Sequence, residues 1–195
     1  MIGVWDIAAI LIAYVLGSIP TGLWVGLRLR GIDIREHGSQ NIGATNTLRV
    51  LGKKIGAVAL AGDVLKGVLA VVLVARLGAW AYLPLACGLA AILGHTFSLF
   101  LKFKGGKGVA TSTGVFLGLA PIPTLIAAVG WGLVFWRSRM VSAASLAAAI
   151  VLTAAVWALP HVLAIRITVT IVAVLVFIRH RSNIGRILRG EESRF

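Results

Sequence analysis

Two stretches of this sequence combine residue types that grip phosphates. The first, GIDIREHGSQNIGATNTLRVLGKK from Gly31 to Lys54, sets Gly31, Gly38, Gly43 and Gly52 among Ser39, Gln40, Asn41, Thr45, Asn46, Thr47 and Arg49. Glycine lets backbone N–H groups come close to a ligand, Ser, Asn and Thr add short donors, and Arg adds a two-pronged cation. This set suits a phosphate or a dense polyol. It also suits a connecting loop whose Ser and Asn cap helices and whose Arg attracts anionic lipid heads. The second stretch, Phe103-Lys104-Gly105-Gly106-Lys107-Gly108-Val109-Ala110-Thr111, runs directly into an apolar helical segment. Free N–H groups and the positive end of the helix dipole make such a start an anion site, and Lys107 adds a point charge. The G-x-x-x-x-G-K-[ST] spacing of a P-loop is absent and no strand precedes the glycines. A basic connection touching lipid phosphates is the competing reading.

A third element is the basic tail Arg179-His180-Arg181-Ser182-Asn183-Ile184-Gly185-Arg186. Tails of this kind hold anionic lipid. Here helical spacing also puts His180 and Asn183 on one side, where both can turn to the same pocket. Asp63 and Lys66, at i and i+3 inside an apolar run, are expected to pair in a structural role, because an unpaired charge at membrane depth is costly. His95 reads as a packing or hydrogen-bonding residue. Ser142 and Ser145 open a late helix, and N-capping accounts for Ser142.

The elements that must position these residues follow from composition. Of 195 residues, 59% are hydrophobic and 13% charged, with a mean hydropathy of +0.98. In a water-soluble globule about a quarter of the residues are charged, so an integral membrane protein is expected. The 19 Lys+Arg against 6 Asp+Glu give an excess that a nucleic-acid binder could show, but not in so apolar a chain; no nucleic-acid partner is expected. One cysteine, Cys87, excludes an internal disulfide framework and a Cys-cluster metal site; no metal and no other cofactor is expected. The start, MIGVWDIA, lacks the basic opening of a signal peptide, so the first apolar run should stay in place.

Charge-free or nearly charge-free runs mark the spans: 7–27, 55–75, 77–101, 108–136, 140–165 and 161–178, the last two divided at Leu159-Pro160. About 20 apolar residues cross a bilayer. Pro121 and Pro123 interrupt the fourth run, which reads as one kinked span or as two short helices. Lys and Arg decide between these, since they favour the cytoplasmic side. With two short helices, segments 28–54, 102–107, 137–139 and 179–194 share one face and carry 6, 3, 2 and 5 basic residues. The expected architecture is therefore an all-α integral membrane protein. It has seven transmembrane helices, two of them short (roughly 11 and 15 residues), with the N-terminus outside and the C-terminus cytoplasmic, in a single domain over residues 1–195.

The series Gly17-Ser18-Ile19-Pro20-Thr21-Gly22, GSQNIGATNTLRVLGKK, LGHTFSLFLKFKGGKGVAT and RHRSNIGR resembles, in order and spacing over nearly the whole chain, the bacterial acyl-phosphate:glycerol-3-phosphate acyltransferase family. The resemblance implies a seven-helix enzyme of the bacterial inner membrane with its active site on the cytoplasmic face. Such an enzyme moves a fatty acyl group from acyl phosphate to the 1-hydroxyl of glycerol 3-phosphate, giving lysophosphatidic acid and phosphate. It also implies a functional link to a soluble enzyme that makes acyl phosphate. By the same resemblance Ser39, Arg49, Lys107 and His180 are the catalytic candidates, and Asn41, Gly105, Gly106, Ser145 and Asn183 bind substrate. Thr45, Asn46 and Lys104, polar neighbours in the same loops, join the binding set.

An acyl phosphate is already activated and its leaving group is an anion, so positive loops that hold the phosphate and stabilise the carbonyl oxygen suffice. No H-x-x-x-x-D arrangement exists: the residues five after His37, His95, His161 and His180 are Ile42, Phe100, Arg166 and Gly185. The expected base is a phosphate oxygen of the acyl donor. The competing classes are a small permease for phosphorylated solutes and a non-catalytic binder of anionic lipid. The one-sided charge argues against the first, and the Ser, Asn, Thr and Arg density of the first loop against the second.

Overall fold

The computed structural model describes residues 2–195, and among these every regular element is helical. The helices are α1 (Val4–Ser18), α2 (Thr21–Arg30), α3 (Ala44–Leu51), α4 (Lys53–Val72), α5 (Leu83–Thr96), α6 (Val109–Leu119), α7 (Pro121–Ser138), α8 (Val141–Ala158), α9 (Leu163–Arg179) and α10 (Arg181–Leu188). By their contacts the residues up to Leu119 form one compact unit and Ala120–Phe195 a second.

In the first unit α1 packs on α5, and α4 on α6 and α3. Lipid tails are as apolar as leucine, so helices in a membrane associate through close van der Waals packing at small residues. A Cβ on Gly94 of α5 would overlap the Tyr14 carbonyl of α1, and one on Gly114 of α6 would overlap the Val64 carbonyl of α4. Ala9, Ala13, Leu83, Cys87 and Ala91 form the core between α1 and α5, with Cys87 fully buried. Asp6, 4% exposed, accepts from the Gly3 amide at 2.7 Å and from those of Ala79 and Trp80 at 2.9 and 3.0 Å. This caps α1 and ties its start to the α4–α5 connection.

The first apolar run is not one helix. Pro20 has no N–H to donate and disfavours helical geometry at Ile19, so α1 and α2 meet at a 45° bend. The carbonyls released there find new donors: Ser98 Oγ donates to Ser18 O at 2.6 Å and Lys66 Nζ to Ile19 O at 2.9 Å. Proline acts differently in the fourth run. Pro121 and Pro123 lie in the first turn of α7, where a missing N–H costs nothing, and the chain breaks at Ala120. Two helices thus replace one kinked span, and α7, at 18 residues, is longer than the roughly 15 expected for a short span.

In the second unit α7 packs on α8 and α8 on α9. The Arg166 guanidinium lies 5.5 Å from the Trp157 ring, and the Phe195 amide donates to Arg139 O at 2.9 Å. The tail is itself a helix: α9 and α10 bend by 60° at His180. Three helical segments, 53–77, 83–101 and 141–158, are long and apolar enough to cross a membrane, and five are if each bent pair is one span.

Candidate active site

The first stretch is a folded element rather than an open loop. A 3-10 turn at Ile34–Glu36 and α3 lie within it. Asn46, 1% exposed, organises it: Oδ1 accepts from the Ser39 amide at 2.8 Å, and Nδ2 donates to Ile34 O at 2.8 Å and His37 O at 3.1 Å. Both polar atoms of the carboxamide of Asn46, a candidate for substrate binding, thus hydrogen-bond within the loop. Asn41 Oδ1 accepts from the Gly43 amide at 2.9 Å just before α3, and Thr47 Oγ1 donates to Gly43 O at 3.2 Å. Thr45 is half-buried, while Ser39 and Arg49 are exposed. Arg35 grips Asp33 through Nε and Nη2. This hydrogen bonding holds the Asp33 carboxyl below the usual carboxylate range and pushes the guanidinium further up.

The second stretch folds back on the end of α5. The Gly105 amide donates to Thr96 O at 3.1 Å and the Gly106 amide to His95 O at 3.0 Å, which satisfies carbonyls that a helix C-terminus leaves unpaired. A Cβ on Gly105 would overlap the carbonyls of His95 and Thr96, and one on Gly106 the imidazole of His95. The closeness of α5 therefore requires glycine at both positions, and both amides donate to its carbonyls. Beyond them α6 begins with Thr111 and Ser112 buried, and neither hydroxyl has a hydrogen-bond partner among the described residues. Sequence reasoning stopped short of Ser112; its signal was a pair of hydroxyls in the first turn after Gly-Lys-Gly. Gly105→Ala should lower Tm and kcat together, by about 1–3 kcal/mol of stability for overpacking, as thermal unfolding and activity measured on the same preparation will show.

A cavity of about 520 Å³ lies between the two stretches. Of the expected residues it is lined by Asn41, Lys104 and Gly105; Arg35, Gln40, Ile42, Phe100, Leu101 and Lys102 also line it. Ser39, Thr45, Arg49, Gly106 and Lys107 are not among its lining residues. Gln40 (φ 57°), Lys102 (φ 50°) and neighbouring Phe103 (φ 62°) all adopt left-handed backbone. Such strain costs on the order of 1–3 kcal/mol each and collects at ligand sites.

In the second unit Met140 is the N-cap of α8, so Ser142 does not cap as expected. Its Oγ donates to Glu192 Oε1 at 2.6 Å, as does Asn183 Nδ2 at 2.6 Å, and Arg186 Nε donates to Glu192 Oε2 at 2.7 Å. Burial pushes the Glu192 carboxyl up, but the three donors outweigh it and hold it below the usual range. Sequence reasoning missed Glu192, although it is one of only 6 acidic residues. Ser145 Oγ donates to Val141 O at 2.8 Å and accepts from Trp131 Nε1 at 3.4 Å. His180 sits at the α9–α10 junction rather than inside one continuous helix, yet it and Asn183 are both buried. His180 Nδ1 is 2.8 Å from Val176 O. A carbonyl only accepts, so Nδ1 carries a proton and donates to it.

The family described as glycerol-3-phosphate acyltransferase matches residues 7–190. The chain belongs to this family. It is 49% identical over 183 residues to the glycerol-3-phosphate acyltransferase of Trichlorobacter lovleyi, covering 94% of each chain. With the enzyme of that name from Fusobacterium nucleatum the identity is 44%, over 95% of this chain and 96% of the other. The crystal structure of PlsY (YgiH), an integral membrane glycerol 3-phosphate acyltransferase, in its glycerol 3-phosphate form matches with a TM-score of 0.91 and 37% identity, over 97% of this chain and 95% of that one. Its lysophosphatidic acid form matches with a TM-score of 0.89. The glycerol-3-phosphate acyltransferase described here is thus an integral membrane protein.

Proposed function

We propose that the donor is acyl phosphate and that the protein passes its acyl group to the 1-hydroxyl of sn-glycerol 3-phosphate, releasing lysophosphatidic acid and phosphate, as the first step of phospholipid synthesis. The observation that carries this reading is a cavity lined both by the cations Arg35, Lys102 and Lys104 and by the apolar Ile42, Phe100 and Leu101. A ligand with an anionic head and a hydrocarbon tail fits that mixed lining. PlsY solved with lysophosphatidic acid supports it. Residues 1–195 act as one acyltransferase domain in the cytoplasmic membrane, with seven spans (α1–α2, α4, α5, α6, α7, α8 and α9), the N-terminus outside, and the chemistry on the cytoplasmic side.

In this reading the hydroxyl oxygen of glycerol 3-phosphate attacks the acyl carbonyl carbon. The new C–O bond forms as the bond from that carbon to the phosphate oxygen breaks, and the hydroxyl proton ends on the departing phosphate. Lys104 and Lys107 neutralise phosphate charge, the Thr111 and Ser112 hydroxyls donate at the start of α6, and Ser39, Asn41, Thr45 and Arg49 hold the polar substrate. Asn46, Gly105 and Gly106 shape the loops that carry these groups. Ser145 and Asn183 are further candidates for substrate binding and His180 for catalysis, and a soluble enzyme supplies the acyl phosphate. Protein purified in detergent and given palmitoyl phosphate and glycerol 3-phosphate should release inorganic phosphate only when both are present. Release from palmitoyl phosphate alone, or none at all, would overturn the reading.

A further inference from the structure

A buried cluster in the first unit lies behind the second stretch without being part of it. Asp63 and Lys66 on α4 and His95 on α5 are 2%, 4% and 4% exposed. The Lys66 ammonium has three neighbours: Asp63 Oδ1 at 2.8 Å, His95 Nδ1 at 2.8 Å and Ile19 O at 2.9 Å. A lysine ammonium only donates, so His95 Nδ1 accepts and Nε2 carries the ring proton. That edge of the ring packs against Gly106, and the backbone carbonyl of His95 receives the Gly106 amide.

We propose that Asp63, Lys66 and His95 are positioning residues for acyl transfer: the ion pair fixes the His95 ring and backbone, and His95 in turn fixes the Gly105–Lys107 loop that presents Lys107. Structural stability alone does not account for the pair. Replacing a buried ion pair by apolar residues of similar size is often neutral or stabilising. What the pair adds is direction, because the ammonium binds the helix break at Ile19, the carboxylate of α4 and the imidazole of α5 at one point. This proposal rests on the acyl-transfer reading for its kinetic consequence, but its structural core does not depend on that reading.

The experiment compares wild type, Asp63→Leu/Lys66→Met and His95→Asn by three measurements: Tm, steady-state phosphate release, and hydrogen exchange of the peptide containing the Gly105 and Gly106 amides. In the double variant Tm should be equal to or above that of wild type. The two glycine amides should exchange about tenfold faster or more, and kcat/KM should fall about tenfold or more, mainly through kcat, as expected when a group that stabilises transition-state charge loses its place. His95→Asn keeps an acceptor for Lys66 and removes the ring beneath Gly106, so it should repeat the exchange and kcat effects. It decides alone if the double variant does not fold. Unchanged exchange with kcat within about twofold of wild type, or a kcat that falls only in step with Tm, would overturn the proposal. Wild type that releases no phosphate would defeat the acyl-transfer reading, and the exchange measurement would still decide on the positioning role.

Discussion

Lys107→Ala is expected to slow phosphate release, with palmitoyl phosphate and glycerol 3-phosphate both saturating, by about a hundredfold or more. Removing one preorganised charge-stabilising donor from an acyl-transfer site has an effect of this size. In the proposed reaction charge shifts from the carbonyl oxygen to the leaving phosphate as the ester forms, and Lys107, two residues before α6, is the cation proposed to meet it. His180→Gln is the informative companion. If a phosphate oxygen of the donor removes the hydroxyl proton, the amide keeps a hydrogen bond and the rate at saturation should fall less than about tenfold. An equal loss in the two variants would assign the base to His180, whose Nδ1 is held by Val176 O.

Glu192→Gln is expected to lower the stability of the second unit by about 2–3 kcal/mol, within the range for hydrogen bonds to charged groups. The carboxylate accepts from Ser142, Asn183 and Arg186; the amide offers one acceptor oxygen and sets an N–H₂ against the remaining donors. Because the folded carboxyl titrates below its ordinary value, its contribution is complete above the unfolded value of about 4.3 and is lost as the pH falls through the lowered folded value. Wild-type Tm should therefore drop more steeply than that of Glu192→Gln on acidification below about pH 4. Parallel curves down to the acid limit would remove Glu192 from this role.

Much of the helical plan was legible because charge is scarce. Lys53, Lys102, Arg137 and Arg139 fall at or beyond helix ends, and the i, i+3 spacing of Asp63 and Lys66 foretold their pairing. Pro20 was harder to weigh, because a charge-free run satisfies the length criterion whether or not it bends. The two glycines before Lys107 are ambiguous for a related reason: a Gly-Gly pair signals that something comes close, and only the fold identifies α5 as a neighbour. Glu192 escaped notice because its partner Ser142 lies 50 positions away. A carboxylate in a basic tail reads as a solvated charge until the chain returns to α8.

Cys87, the single sulfhydryl of the chain, is walled in by alanines and leucine, so water-soluble maleimides will find no target on the unaltered protein. A cysteine introduced at exposed Lys53 or Ser182 then becomes the sole reporter, with no background to subtract. Labelling sealed vesicles of known orientation from one side would reveal whether these two positions open to the same compartment.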